Sequence, residues 1–151
     1  MARYIVHYSD WVGVSTISSR DPIMVRCFLY SGIFSMTYSQ DFPFGNIKTV
    51  SDGSSSSVAR GTPYFYLSPM DLSSMDIWKN PQASLSFTLA DQWCKEQDWI
   101  AQDPRCPRLL VTGAIARVDQ EEEKEFAKDA LFTRLVMLRK LFFTILFPGI
   151  Q

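Results

Sequence analysis

The chain has 151 residues, 46% of them apolar and 21% charged, with a formal net charge of −1. That is enough chain for one domain with a real core, and the near-neutral balance, without a basic stripe, argues against a direct grip on nucleic acid. No window reaches the roughly 18 uninterrupted apolar residues of a membrane span, and Met1-Ala2-Arg3-Tyr4 is not followed by the apolar run of about 7–15 residues that a signal peptide requires.

Tyr4, Ile5 and Tyr8 recur at helical spacing and predict a short amphipathic helix over residues 3–7. It leads through Asp10-Trp11 into a strand over residues 12–18, rich in β-branched and small side chains. Arg20-Asp21-Pro22 is turn chemistry. Residues 23–38 combine high β-propensity with almost no charge, a composition that aggregates when exposed. They read either as a hairpin turning at Ser31-Gly32 or as an insertion into the surrounding pattern. A second strand over residues 44–50 ends at Ser51-Asp52-Gly53, and a serine-rich loop occupies residues 54–61.

Residues 63–67 predict a strand with Tyr64 and Tyr66 on one face and Phe65 and Leu67 on the other. Ser68-Pro69 stops it, and a two-turn helix over residues 71–78 follows, with Leu72, Met75 and Ile77 facing inward and Pro81 beyond its end. Residues 83–89 alternate cleanly, sending Leu85, Phe87 and Leu89 to the core. A long polar loop over residues 91–107 carries Trp93 and Trp99. Another strand is expected over residues 109–118, with Gly113 at a bulge. Asp119 then caps a helix, with Glu122 completing a capping-box pattern and Phe126, Ala127, Ala130 and Leu131 as its buried stripe. The acidic run over residues 121–125 is a solvated face at the positive helix end. Residues 135–147 are apolar but are interrupted by Arg139 and Lys140.

Chemistry-bearing residues are few. Cys94 and Cys106 flank the polar loop 12 residues apart, a spacing that suits either a local disulfide in an oxidising compartment or two reduced thiols. His7 is the only histidine and no Cys-x-x-Cys occurs, so a zinc site is not expected. His7 reads as a packed or surface residue rather than a general base. Ser15 and Thr16 read as packing residues, and Tyr64 and Tyr66, which could stack on a planar ligand, read as core or interface residues. Trp93 and Trp99 are the stronger candidates for an exposed recognition patch.

Asp10-Trp11, Ser51-Asp52-Gly53, Pro63-Tyr64-Phe65-Tyr66-Leu67-Ser68-Pro69, Asn80-Pro81-Gln82-Ala83-Ser84-Leu85 and the span from Cys94 to Cys106, taken in order, resemble the CREG family of secreted cellular-repressor glycoproteins. The resemblance covers residues 2–23 and 44–134. It implies a mainly β fold with flanking helices: an antiparallel, Greek-key split β-barrel of the pyridoxamine-phosphate-oxidase type, usually homodimeric, in the secretory or endolysosomal system. Compared with that pattern, residues 26–41 look inserted, residues 135–151 form an apolar tail foreign to the family, and the barrel would be incomplete at its C-terminus. Neither Asn46 nor Asn80 begins a glycosylation sequon, so family glycans do not transfer.

The resemblance also raises the question of flavin mononucleotide (FMN), the cofactor of related split barrels. Its phosphate needs Arg or Lys and hydroxyls at the strand-to-helix turn. Here that turn is Ser68-Pro69-Met70-Asp71-Leu72, with Ser68, Tyr66 and Lys79 as the weak candidates and Asp71 and Asp76 opposing an anion. The resulting expectation is a non-enzymatic protein without cofactor that acts through a protein receptor or a homodimer partner. The alternatives are an FMN-binding oxidoreductase-like protein and a non-functional splice or gene-model variant.

Overall fold

Strand alternation decides which side chains meet in this molecule. The computed structural model describes residues 1–19, 24–29, 32–37, 41–53 and 60–134. The turn expected at residues 20–22, residues 54–59 of the serine-rich loop and the tail at 135–151 lie outside the described residues. The elements in chain order are α1 (Ala2–Tyr8), β1 (Trp11–Ile17), β2 (Met24–Leu29), β3 (Gly32–Thr37), β4 (Pro43–Thr49), α2 (Leu72–Lys79), β5 (Gln82–Thr88), a π-helical turn (Ala90–Cys94), β6 (Arg108–Ala114) and α3 (Glu121–Arg134).

Four strands form one antiparallel sheet in the order β4-β1-β5-β6. The sheet is unclosed, with β4 and β6 at its edges. The fold is therefore mainly antiparallel β with flanking helices, the architecture of an open, split barrel. The register sets Lys48 opposite Val12 and Asn46 opposite Val14, then Val14 opposite Leu85 and Leu85 opposite Val111. Paired residues share a face, so the aliphatic centre of the sheet passes into a polar edge on β4.

Val12, Val14, Leu85, Phe87 and Leu89 form the core with Ile5 and Val6 of α1 and with Val50, and Phe65, Leu109 and Ile115 pack against it. The alternation expected of residues 85–89 is the one observed. Helix α1 buries Ile5 and Val6, while Tyr4 and Tyr8 remain half exposed and stack on each other at 4.4 Å. Its end is closed by Ser9, whose hydroxyl donates to the Ile5 carbonyl at 2.7 Å.

Among the described residues β2 and β3 pair only with each other, Leu29 facing Gly32. Gly32 therefore begins β3 instead of forming the turn, and the connection at residues 30–31 lies outside the described residues. The β1–β4 ladder runs on past the strand ends to this segment through Ser18 N–H to the Phe42 carbonyl and Asp41 N–H to the Ser18 carbonyl, both 2.8 Å.

Several expectations need correction. Residues 63–67 do not form a strand: Tyr64 exchanges both backbone hydrogen bonds with Ser51, at 2.8 and 3.0 Å, and the pairing stops there. Pro63 and Pro69, without N–H groups, bracket the segment and limit any ladder. Tyr64 is buried and Tyr66 is exposed, so the two do not share a wall. Strand β6 ends at Ala114: the Ile115 N–H still donates to the facing Pro81 carbonyl at 2.9 Å, but Pro81 has no N–H to return, and the even register with β5 contains no bulge at Gly113. The first bond of α3 runs from Lys124 N–H to the Gln120 carbonyl, which makes Gln120 the cap, while the Asp119 carboxylate lies 3.5 Å from Arg117. Within α3, Ala130 and Leu131 are buried and Phe126 and Ala127 are half-buried.

Candidate functional site

Helix α2 carries the largest correction. It lies in the crossover from β4 to β5 and packs on β1. Ser73, Ser74 and Asp76 are its buried residues, whereas Leu72 and Met75 are 43% and 46% exposed and Trp78 is 74% exposed. The reason lies in the partners beneath it. The Asp76 carboxylate, fully buried, accepts from the Ser19 N–H at 2.9 Å, the Ser19 hydroxyl at 3.0 Å and the Thr16 hydroxyl at 3.2 Å. Asn46 of β4 donates its amide to the Ser73 hydroxyl at 3.1 Å. A buried carboxylate is tolerated only when so satisfied, and these contacts turn the helix's apolar side outward.

The turn before α2 is held from within. Asp71 is the N-cap, accepting from Ser73 N–H at 2.9 Å and Ser74 N–H at 3.3 Å. Its other oxygen binds the Lys48 ammonium, which reaches it from the inner face of β4 and is nearly buried. Burial acts to raise the Asp71 carboxyl, but the Lys48 ammonium and the helix N–H groups outweigh it and hold it below the ordinary 3.8.

The three residues expected to cradle a flavin phosphate do not converge on one. The Ser68 hydroxyl accepts from Met70 N–H at 3.3 Å. Lys79 sits at the far end of α2 and donates to the Ser19 carbonyl at 3.2 Å. Tyr66, two residues before Ser68, is exposed. Lys48, which sequence reading missed, is the cation closest to the turn, and its charge is matched by Asp71. A dianionic phosphate placed here would meet the Asp71 carboxylate, so these residues do not fit the group.

Beyond β5 the chain makes a second constructed feature. Cys94, on the π-helical turn, and Cys106, just before β6, are joined by a disulfide, and both are buried. The loop they close presents Trp93 and Trp99 edge-to-face at 5.1 Å, and the Arg105 guanidinium lies over the Trp99 ring at 4.3 Å. Asp103 holds Arg105 from the other side at 2.7 Å, and that hydrogen bond brings the Asp103 carboxyl down to about 2. Trp93 and Trp99 are thus brought together, with the Arg105–Asp103 ion pair beside them.

Two further contacts tie distant segments. His7 Nδ1 lies 2.9 Å from Asp52 Oδ1, linking α1 to the turn after β4, with Asp52 fully buried. A carboxylate that orients an imidazole is the base half of a nucleophilic triad, but among the described residues no hydroxyl or thiol hydrogen-bonds the other ring nitrogen, so the pair reads as a tether. The Tyr64 hydroxyl donates to Glu123 of α3 at 3.0 Å. Burial first, and then that carboxylate, raise the phenol above its ordinary 10.0. Among the described residues no group of three metal-ligating side chains occurs, and no helix is long and apolar enough to cross a membrane.

Known proteins place these features in a family. Residues 1–135 match the family model described as CREG, beta-barrel. The chain is 34% identical over 135 residues to Protein CREG1 of Homo sapiens, an alignment covering 89% of this chain and 53% of the relative. It is 34% identical over 136 residues to Protein CREG1 of Gallus gallus, covering 89% and 62%. It is 35% identical over 140 residues to Protein CREG2 of Homo sapiens, covering 92% and 42%. The chain spans about half the length of the curated relatives it matches. On the family model and these identities, the chain belongs to the CREG β-barrel family.

Proposed function

We propose that this protein is a non-enzymatic member of its family that works in the secretory or endolysosomal system by docking another protein, without a flavin. The observation that carries this reading is the outward apolar side of α2. Leu72, Met75 and Trp78 recur every three residues along one side of the helix and face solvent, with Met70 fully exposed just before them. Contiguous exposed apolar surface of this kind marks interaction sites, and methionine and tryptophan are residues that adapt to or anchor a partner. The Trp93–Trp99–Arg105 surface offers a second anchor of the same character. The buried Cys94–Cys106 disulfide supports an oxidising compartment. The self-contained Lys48–Asp71 turn supports the absence of a flavin phosphate.

The test is differential capture. Immobilised oxidised protein is exposed to secretory-compartment extract beside Met75→Ser/Trp78→Ser and Trp93→Ala/Trp99→Ala variants. The reading expects a protein retained by the parent and released by the first pair of substitutions. Equal retention by all three proteins contradicts it.

A further inference from the structure

The β2–β3 ribbon joins no strand of the core sheet among the described residues. The chain just after it is fixed to the end of β1, through the hydrogen bonds of Ser18 with Phe42 and Asp41. Two strands by themselves are marginal in water, so a ribbon of this kind needs something to cover it. Its register grades it along its length. Met24–Thr37, Val25–Met36 and Arg26–Ser35 pair at the base, and Cys27–Phe34, Phe28–Ile33 and Leu29–Gly32 follow toward the turn. Arg26 is the only charged residue in either strand. Beyond it, alternation places Phe28 and Ile33 on one face and Cys27, Phe34 and Leu29 on the other. The turn end is therefore apolar on both faces, and a single charge is set back from it.

We propose that the turn end of this ribbon docks on an anionic lipid surface, entering it to interfacial depth with Arg26 at the level of the headgroups. The proposal is independent of the protein docking argued above. Two apolar faces select a bilayer, because a protein groove or a stacked second copy covers one face of a ribbon, whereas lipid surrounds both. Length agrees. Three residue steps separate Arg26 from Leu29, a rise of about 10 Å at roughly 3.3 Å per residue, and elements that lie in a membrane interface bury themselves about 5–10 Å deep. At that depth water and headgroups still reach the open edges of the ribbon, which hydrocarbon would leave unsatisfied. Charge selects anionic lipid, because the one ionic group at the entry level is a guanidinium, which pairs with phosphate and carboxylate headgroups.

Cys27 lies outside the Cys94–Cys106 disulfide and can carry an environment-sensitive dye on the oxidised full chain. The labelled protein is mixed with vesicles of phosphatidylcholine alone and of phosphatidylcholine with phosphatidylserine. The proposal expects a saturable blue shift with the anionic vesicles, quenched by a nitroxide placed high on the acyl chain and weakened by added salt. Flotation of the unlabelled protein should show the same preference. Phe28→Ser/Phe34→Ser should lose at least about tenfold in vesicle partitioning, the scale of withdrawing two aromatic side chains from lipid. Ile47→Ser, an exposed apolar position on the core sheet, should bind as the parent does. Arg26→Gln should bind both vesicle types alike. No shift with either vesicle, or equal shifts of the parent with both, overturns the proposal. So does a shift that grows with protein concentration in the absence of vesicles, which would make a second copy the cover. These outcomes are read on the parent sequence, so they stand even if the double variant folds poorly.

Discussion

At the scale of single residues, the charged groups that matter are those turned inward. Lys48 and Asp71 illustrate it: an ammonium on the inner face of β4 meets the cap of α2, and neither is presented outward as a ligand group. The sign of the resulting pH effect follows from the carboxyl. Asp71 binds its proton less readily folded than unfolded, so its contribution is complete above 3.8 and is lost as pH falls through its depressed folded value. In Asp71→Asn the amide still caps the helix, but the nearly buried Lys48 loses its counter-charge. The variant should be less stable than the parent at neutral pH, and the gap should narrow below pH 3.8, as measured by urea unfolding across that range. A gap independent of pH would refute the assignment. Sequence reading missed Lys48, and it missed the His7–Asp52 tether, because both pairs join residues 23 and 45 positions apart whose meeting only the tertiary fold decides.

At the scale of elements, β5 and α2 mark the limits of pattern reading. Alternation over Leu85, Phe87 and Leu89 was legible because each odd position carries a large apolar side chain and each even one a small polar group. Helix α2 was legible as a helix, with its start and its end before Pro81, but not in the direction it faces. Hydrophobic periodicity pointed Leu72 and Met75 inward. The outcome was set instead by Thr16, Ser19 and Asn46, polar partners remote in sequence that give Asp76 and Ser73 somewhere to be buried. The strand expected at residues 63–67 failed for a different reason: its aromatic content was right, but its pairing stops at the single Ser51–Tyr64 bridge, between prolines that cannot extend it at either end.

The inverted helix makes a prediction that separates it from an ordinary amphipathic one. Trp78→Ser should change stability by no more than about 0.5 kcal/mol. Asp76→Ala, which leaves the Ser19 and Thr16 donors without their acceptor, should cost about 2–4 kcal/mol. Chemical denaturation of both variants checks it, and the reverse ranking would mean the helix packs by its apolar side. The Cys94–Cys106 loop is similarly testable. Replacing both cysteines by serine should cost about 3 kcal/mol, the usual value for a loop of this length, and should loosen the Trp93–Trp99 pair, seen as a fluorescence change on unfolding shifted to lower denaturant.

At the scale of the whole molecule, the chain is an open antiparallel sheet with polar contacts gathered on the side where β4 meets α2 and exposed aromatic groups carried by α2 and the disulfide loop. Family membership follows from the family model and the relatives; function does not follow from fold. What distinguishes this reading from a flavin-dependent one is the turn before α2, where Asp71 occupies the place a cradle would give to a cation and takes up the charge of Lys48.

The most direct measurement is therefore a titration of FMN fluorescence with the purified, oxidised protein. The account predicts no saturable quenching and no yellow complex after gel filtration. Stoichiometric quenching, abolished by Lys48→Ala or Lys79→Ala, would contradict it.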